Sequence, residues 1–183
     1  HCRQVIISLQ DRMNMVYRVD LEVRAFNDGV AFRYLFPNQN ANGSFVLLDE
    51  NTQFKFTTDP IIKALPLPNF TSSHEGFYIT TTLSKIKEDT LLDMPALFQF
   101  PKKIFMAITE AALLDYAGMY LVKHNGVLRS RLSPLPAPLG DGGIKVKAML
   151  PHKSPWRVML ISDRIGALIE SNIITNLNEP PAI

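Results

Sequence analysis

Cysteine is almost missing from this 183-residue chain, with Cys2 standing alone. That excludes an intrachain disulfide framework and any zinc site built on cysteine. The four histidines, His1, His74, His124 and His152, show no H-x-x-x-H or similar ligand spacing, so zinc is not expected from imidazoles either. No apolar run approaches the ~18 residues that would span a bilayer as a helix. Charge of one sign does not accumulate: 19 Lys and Arg stand against 17 Asp and Glu, a scattered net +2. Nothing in that pattern points to nucleic acid or another polyanion as partner. No helical stretch is long enough to support a parallel βαβ sheet, and no internal repeat stands out. What the chain does have is apolar bulk. At 46% hydrophobic and 20% charged it has the composition of a globular protein rather than a disordered one. It is long enough to bury a real core, and residues 1–183 read as a single domain.

The most informative stretch is residues 17–36, YRVDLEVRAFNDGVAFRYLF. Tyr17, Val19, Leu21, Val23 and Ala25 alternate with Arg18, Asp20, Glu22 and Arg24, the period of a strand with one buried and one wet face. Asn27-Asp28-Gly29 breaks the pattern as a hairpin turn, glycine accepting positive φ without a Cβ clash. Alternation resumes with Val30, Phe32, Tyr34 and Phe36 on one side, and the aromatic trio is heavy enough to seed a core.

The rest of the chain repeats this theme in shorter units. Strands are expected over 3–9, 45–48, 53–57, 76–83, 96–100, 104–109, 145–150 and 156–161. Segments 119–124 and 127–132 flank Asn125-Gly126, a second two-residue hairpin signal. The proline-bearing stretch 61–73 reads as irregular or as an edge crossing. Residues 37–44 and 134–143 are loops by composition. The one persuasive helix starts near Asp163 as N-cap and runs through 167–171. Many short strands punctuated by Gly and Pro indicate a mainly β protein, an antiparallel β-sandwich with one or two short helices. The abrupt start, HCRQVIISLQ, and the exit at Pro180-Pro181 suggest an internal piece of a longer polypeptide.

Among candidate chemistry, the acidic pairs Asp49-Glu50 and Glu88-Asp89 are neighbours in sequence. Neighbours on a strand point to opposite faces, and in a polar loop they are solvated, so neither reads as a catalytic pair. Trp156-Arg157 could form a sugar-stacking platform with a polar clamp. The competing reading makes Trp156 a core or interdomain anchor and Arg157 the partner of a buried carboxylate. Glu110 sits where the strand pattern of 104–108 breaks, and by itself reads as a surface or loop carboxylate. Asn42-Gly-Ser and Asn69-Phe-Thr match the glycosylation acceptor pattern, which is common by chance.

Three blocks, in order, carry a family resemblance: RAFNDGVAFRYLF (24–36), TEAALLDYAGMYL (109–121) and SPWRVMLISDRIGALIESNIITNLNEPP (154–181). Together they resemble the N-terminal domain of glycoside hydrolase family 97. The resemblance implies a galactose-mutarotase-like super-sandwich, placed before a (β/α)8 catalytic barrel in an exo-acting α-glucosidase or α-galactosidase. It also implies periplasmic location in Bacteroides-type bacteria and α-linked oligosaccharide as substrate. The family's catalytic carboxylates lie in the barrel, so no catalytic residue carries over and the chain alone is expected to be inactive. The family's first strands also have no counterpart here. One residue does carry over: the resemblance makes Glu110 a ligand to a calcium ion beside the barrel's active site. Calcium gathers several oxygen ligands, so one carboxylate given across a domain boundary is chemically reasonable. The alternative is a free-standing carbohydrate-binding or protein-interaction sandwich.

Overall fold

The computed structural model describes residues 1–13, 17–39, 43–136 and 143–180. The Asn42 acceptor, Pro181 and most of the 134–143 loop lie outside the described residues. In chain order the strands are β1 (Arg3–Gln10), β2 (Arg18–Phe26), β3 (Gly29–Phe36), β4 (Ser44–Leu47), β5 (Gln53–Phe54), β6 (Ile61–Ala64), β7 (Pro66–Leu67) and β8 (Ile79–Thr82). There follow β9 (Leu91–Leu92), β10 (Ala96–Phe100), β11 (Ile104–Ala111), β12 (Met119–His124), β13 (Val127–Leu132), β14 (Val146–Met149), β15 (His152–Lys153) and β16 (Trp156–Ser162). Two short helices, α1 (Ala167–Glu170) and α2 (Ile173–Leu177), come last.

A large sheet runs β1-β2-β3-β16-β11-β10-β6-β8, with β15 also paired to β3, and a smaller one runs β5-β13-β12-β9-β7. A third pair, β14-β4, stands beside them. Ile62, Phe98, Met106 and Ile108 from the large sheet meet Phe54, Leu92, Leu121 and Leu128 from the small one in a single buried cluster. The expected antiparallel sandwich is the observed fold. On the opposite face of the large sheet, Leu168, Ile173 and Leu177 of the helices pack onto Ala31, Val158 and Leu160.

Four expectations are corrected. The 61–73 stretch contains β6, which lies inside the large sheet between β10 and β8. Its prolines begin only after the strand, and Pro66 falls on β7 at the end of the small sheet, where a missing N–H costs little. The strand expected over 76–83 shrinks to β8, leaving Phe77 96% exposed. The helix begins after Gly166 rather than Asp163, and α2 follows it. Lastly, Gly29 is not the turn residue: the two-residue loop is Asn27-Asp28, and neither Asp28 nor Gly29 has positive φ. Gly29 is needed for close approach, since a Cβ there would lie 2.4 Å from the Met159 carbonyl oxygen and 2.9 Å from Ile173 Cδ1.

The faces of β2 also differ from the simple wet-and-dry reading. Asp20 and Glu22, on its polar side, are buried. Arg18 holds Asp20 through Nε and Nη2, each at 2.7 Å. Glu22 receives Arg24 at 3.0 Å and Arg33 at 2.7 Å. On the apolar side, Val19, Leu21 and Val23 pair across to Leu9, Ile7 and Val5. Those three β1 residues stay 45–51% exposed. Alternation identifies a strand, but what packs on each face decides which side is covered.

Two stability tests follow from these contacts. Gly29→Ala forces the β3–β16–α2 junction apart and should lower stability by about 2 kcal/mol or more through overpacking, read as a lower urea midpoint at unchanged slope. The Arg18 hydrogen bonds hold the Asp20 carboxyl below its usual pKa. A depressed folded-state pKa means that the unfolded chain binds more protons as pH falls. The advantage of wild type over Asp20→Asn should therefore be constant above about pH 5 and shrink as pH drops through 4, the ordinary Asp range. Thermal melts across that range check it.

Candidate functional site

Adjacent positions on β16 serve opposite faces of the large sheet. Trp156 points to the helix side, among Ala31, Ala111 and Val158, and is 1% exposed. The guanidinium carbons of Arg24 and Arg33 lie 4.6 and 4.3 Å from its ring centroid, and Glu22 pairs with both arginines. Its indole nitrogen has no hydrogen-bond partner among the described residues. A ring enclosed by packing and two cations is an anchor, and it offers no open face on which a sugar could stack.

Arg157 points the other way, into the space between the sheets, and is fully buried. The β11–β16 register places Glu110 beside it, and its other partner comes from the segment ahead of β5. Arg157 Nε donates to Glu50 Oε1 at 2.9 Å and Nη2 to Glu50 Oε2 at 2.6 Å. The remaining arm, Nη1, donates to Glu110 Oε2 at 2.7 Å. The buried-carboxylate reading of Arg157 is the one the geometry gives. Sequence reasoning passed over Glu50 by weighing it only as half of an acidic pair. Its signal was Thr52 two residues on, just ahead of β5.

The two carboxylates are served unequally. Besides the arginine fork, Glu50 Oε1 accepts the Thr52 hydroxyl at 2.8 Å, and Tyr34 in turn donates to Thr52 at 2.8 Å. Ser130 of β13 donates its hydroxyl to the Glu50 carbonyl at 2.6 Å, and its amide to that of Thr52 at 2.9 Å. Glu50 is thus fastened to the small sheet, and its side chain is 5% exposed. Glu110 has one arm of Arg157 and a shared Met119 amide at 3.3 Å from each oxygen. Its side chain is 14% exposed, and Gly118 leaves the neighbourhood of Oε1 without a side chain. Burial pushes the Glu110 carboxyl above its usual pKa, against the opposing charge of Arg157. Burial likewise works against the charge on Arg157, but the Glu50 hydrogen bonds and charge outweigh it, and its pKa is raised.

The 112–118 loop and the aromatic rings beside it pack against the site. Tyr116 lies with its ring centroid 5.9 Å from the Arg157 guanidinium carbon, and burial pushes its phenol pKa well up. His152 stacks on Tyr116 with an interplanar angle of 16° and donates Nε2–H to the Asp115 carbonyl at 2.8 Å. Beyond β11, Ala112 takes φ 56° and donates its amide to Asn178 Oδ1 at 3.0 Å. The 112–118 loop is thereby tied to the segment that follows α2. A cavity of about 280 Å³, bordered by Arg33, Tyr116, His152 and Glu179, opens beside this loop.

Chemically, the cluster sets two carboxylates against one guanidinium, with the surplus negative charge left on Glu110. Among the described residues no group of three or more His, Cys, Asp or Glu is gathered as a metal cage. Glu110, with one arm of Arg157, a shared Met119 amide and 14% of its side chain exposed, could serve a hard cation as one donor, and the remaining ligands would have to come from elsewhere. A buried guanidinium shared by two buried acids is costly to remove, because both charges lose their partner. Arg157→Met should lower unfolding free energy by about 3–5 kcal/mol, whereas Glu110→Gln should cost about 1 kcal/mol or less because Glu50 retains the arginine. Urea titrations of both variants compare the two.

The chain matches the family model described as "Glycosyl-hydrolase 97 N-terminal" over residues 1–180. It is 28% identical over 185 aligned residues to a retaining alpha-galactosidase of Bacteroides thetaiotaomicron, covering 88% of this chain and 28% of that protein. A glycoside hydrolase family 97 enzyme from a Pseudoalteromonas species, solved with acarbose, superposes with a TM-score of 0.82 at 29% identity, over 97% of this chain and 26% of that one. A beta-arabinopyranosidase shares the fold at a TM-score of 0.69 and 19% identity, over 88% of this chain and 27% of that one. The chain thus spans about a quarter of the length of each of these proteins.

Proposed function

The chain belongs to the glycosyl-hydrolase 97 N-terminal family, and from that premise we propose that it is the N-terminal sandwich of an exo-acting α-glycosidase, supporting a (β/α)8 catalytic barrel and lending Glu110 to the calcium and substrate site at their junction. The observation that carries this is Glu110 itself. It is a nearly buried carboxylate at the end of β11, with one arm of a guanidinium that Glu50 already holds by two others. Calcium takes six to eight oxygens, roughly, so a lone carboxylate on a rigid strand suits a shared cage rather than a private one. When bound, the cation supplies a fixed positive charge at the edge of the substrate pocket. This chain's residues hold and orient one of its ligands.

Hydrolysis itself needs two carboxylates placed across the glycosidic bond, and none is assigned to this chain. The relatives carry the domain as 26–28% of a longer protein, which favours an enzyme part over a free-standing sugar-binding or interaction module. The relatives, a retaining alpha-galactosidase and an enzyme solved with acarbose, support an α-linked oligosaccharide as substrate. A periplasmic setting of Bacteroides type belongs to the same reading. No helix in the described residues is long and apolar enough to cross a membrane.

The test is Glu110→Gln in the full-length polypeptide that carries this domain. It removes a charge, keeps an oxygen and deletes no core volume. Calcium affinity should fall, and turnover of aryl α-glucosides or aryl α-galactosides should become dependent on added calcium. Wild-type activity of the variant in chelator would overturn the metal assignment, and a reading frame without a following barrel would overturn the enzyme reading.

A further inference from the structure

We infer that Glu50, whose side chain is 5% exposed, sets the cation affinity of Glu110 by occupying the Nε–Nη2 edge of Arg157, so that the arginine orients the Glu110 carboxylate without neutralising it. This rests on the calcium reading above and adds a positioning residue to it.

A single guanidinium has a limited set of donors, and their allocation decides how much of each acid's charge is met. Arginine offers a side-on fork that matches a carboxylate with two parallel hydrogen bonds. In this structure Glu50 has the fork, at 2.9 and 2.6 Å, and Glu110 has only Nη1, at 2.7 Å. Thr52 supplies Glu50 with a further donor, and Ser130 fixes its backbone to β13. Arg157 cannot swing its fork toward Glu110 while Glu50 is ionised and held in this way. One Glu110 oxygen is therefore clamped by the arginine, and the other keeps its charge for an external cation. Were Glu50 neutral, the same arginine would turn a second arm to Glu110, a bidentate pair would form, and the outward charge would be cancelled. A partner behind a metal ligand typically changes metal affinity by about 10–100-fold when altered.

Two substitutions at Glu50 separate charge from packing, measured in the full-length polypeptide by calcium titration of the unfolding midpoint and by competition with terbium luminescence. Glu50→Gln should weaken calcium binding by about tenfold or more, with the midpoint in chelator close to wild type because arginine retains Glu110. Glu50→Asp keeps the charge behind Arg157 and should leave affinity near wild type. Affinity unchanged in Glu50→Gln, with Glu110→Gln strongly weakened, makes Glu50 purely structural and overturns the inference while the calcium reading stands. Equal loss in Glu50→Gln and Glu50→Asp traces the effect to packing and overturns it too. If Glu110→Gln also binds calcium like wild type, it is the calcium reading that fails. Should Glu50→Gln not fold, Arg157→Lys decides: its single ammonium cannot hold both acids in place, so affinity must fall, and wild-type affinity there overturns the inference.

Discussion

The guanidinium of Arg157, with no exposed surface, is the constraint around which this domain is arranged. A buried charge is tolerable only when paired and hydrogen-bonded, and each of its partners arrives from a different part of the fold. The β11–β16 register delivers Glu110. The β13 strand, through Ser130, holds the segment that carries Glu50. One cation thereby ties the large sheet to the small one, on top of the apolar cluster that fills the space between them. Apolar packing tolerates some sliding of one sheet over the other, whereas a three-armed ion cluster accepts a single relative placement. It follows that the position of Glu110 at the edge of the sandwich is set by the core rather than by a loop.

The neighbouring residue builds a second ionic device on the opposite face. Trp156 is enclosed by Arg24 and Arg33, and these are held by Glu22. Strand alternation is what allows consecutive residues to serve two separate networks. On the apolar side of β1, Val5, Ile7 and Leu9 stay 45–51% exposed. The polar side of the hairpin is cemented by paired charges over an aromatic ring. Between these networks runs the Tyr116, His152, Phe45 and Phe36 series of ring contacts. It links the 112–118 loop beside Glu110 to the end of β3.

Much of this architecture was legible in the residues. Period-two alternation found β2, β3, β12 and β13, because each is long enough to show its pattern and is bounded by turn residues. It failed at β6, where the following prolines masked a four-residue strand whose alternation was intact. It also failed on the covered side of β2, because hydropathy favours the apolar face, whereas the actual packing is decided by Trp156, more than 120 residues away in sequence. Gly29 was singled out correctly for the wrong reason. Sequence shows where a glycine stands, but only the fold shows that Met159 and Ile173 crowd it. Within the site, Arg157 was open to both readings until burial decided between them. For Glu50 only the nearby Thr52 hinted at a buried role, since its arginine partner lies 107 positions later.

On the proposed function, the same asymmetry lets the sandwich matter to chemistry performed in a neighbouring domain. A domain that satisfied all its own charges would meet a neighbouring barrel through shape alone. This one satisfies Glu50 completely and Glu110 only in part, so its edge carries a fixed, oriented and unspent negative charge. Because the deficit is built into a cluster spanning both sheets, it cannot relax by rotating a surface side chain toward water. On the proposed reading a cation shared with a barrel would relieve it, and metal binding and domain docking would then strengthen each other by the same factor. On that account the sandwich contributes no reacting group. It would supply a ligand whose position is set by the folded core.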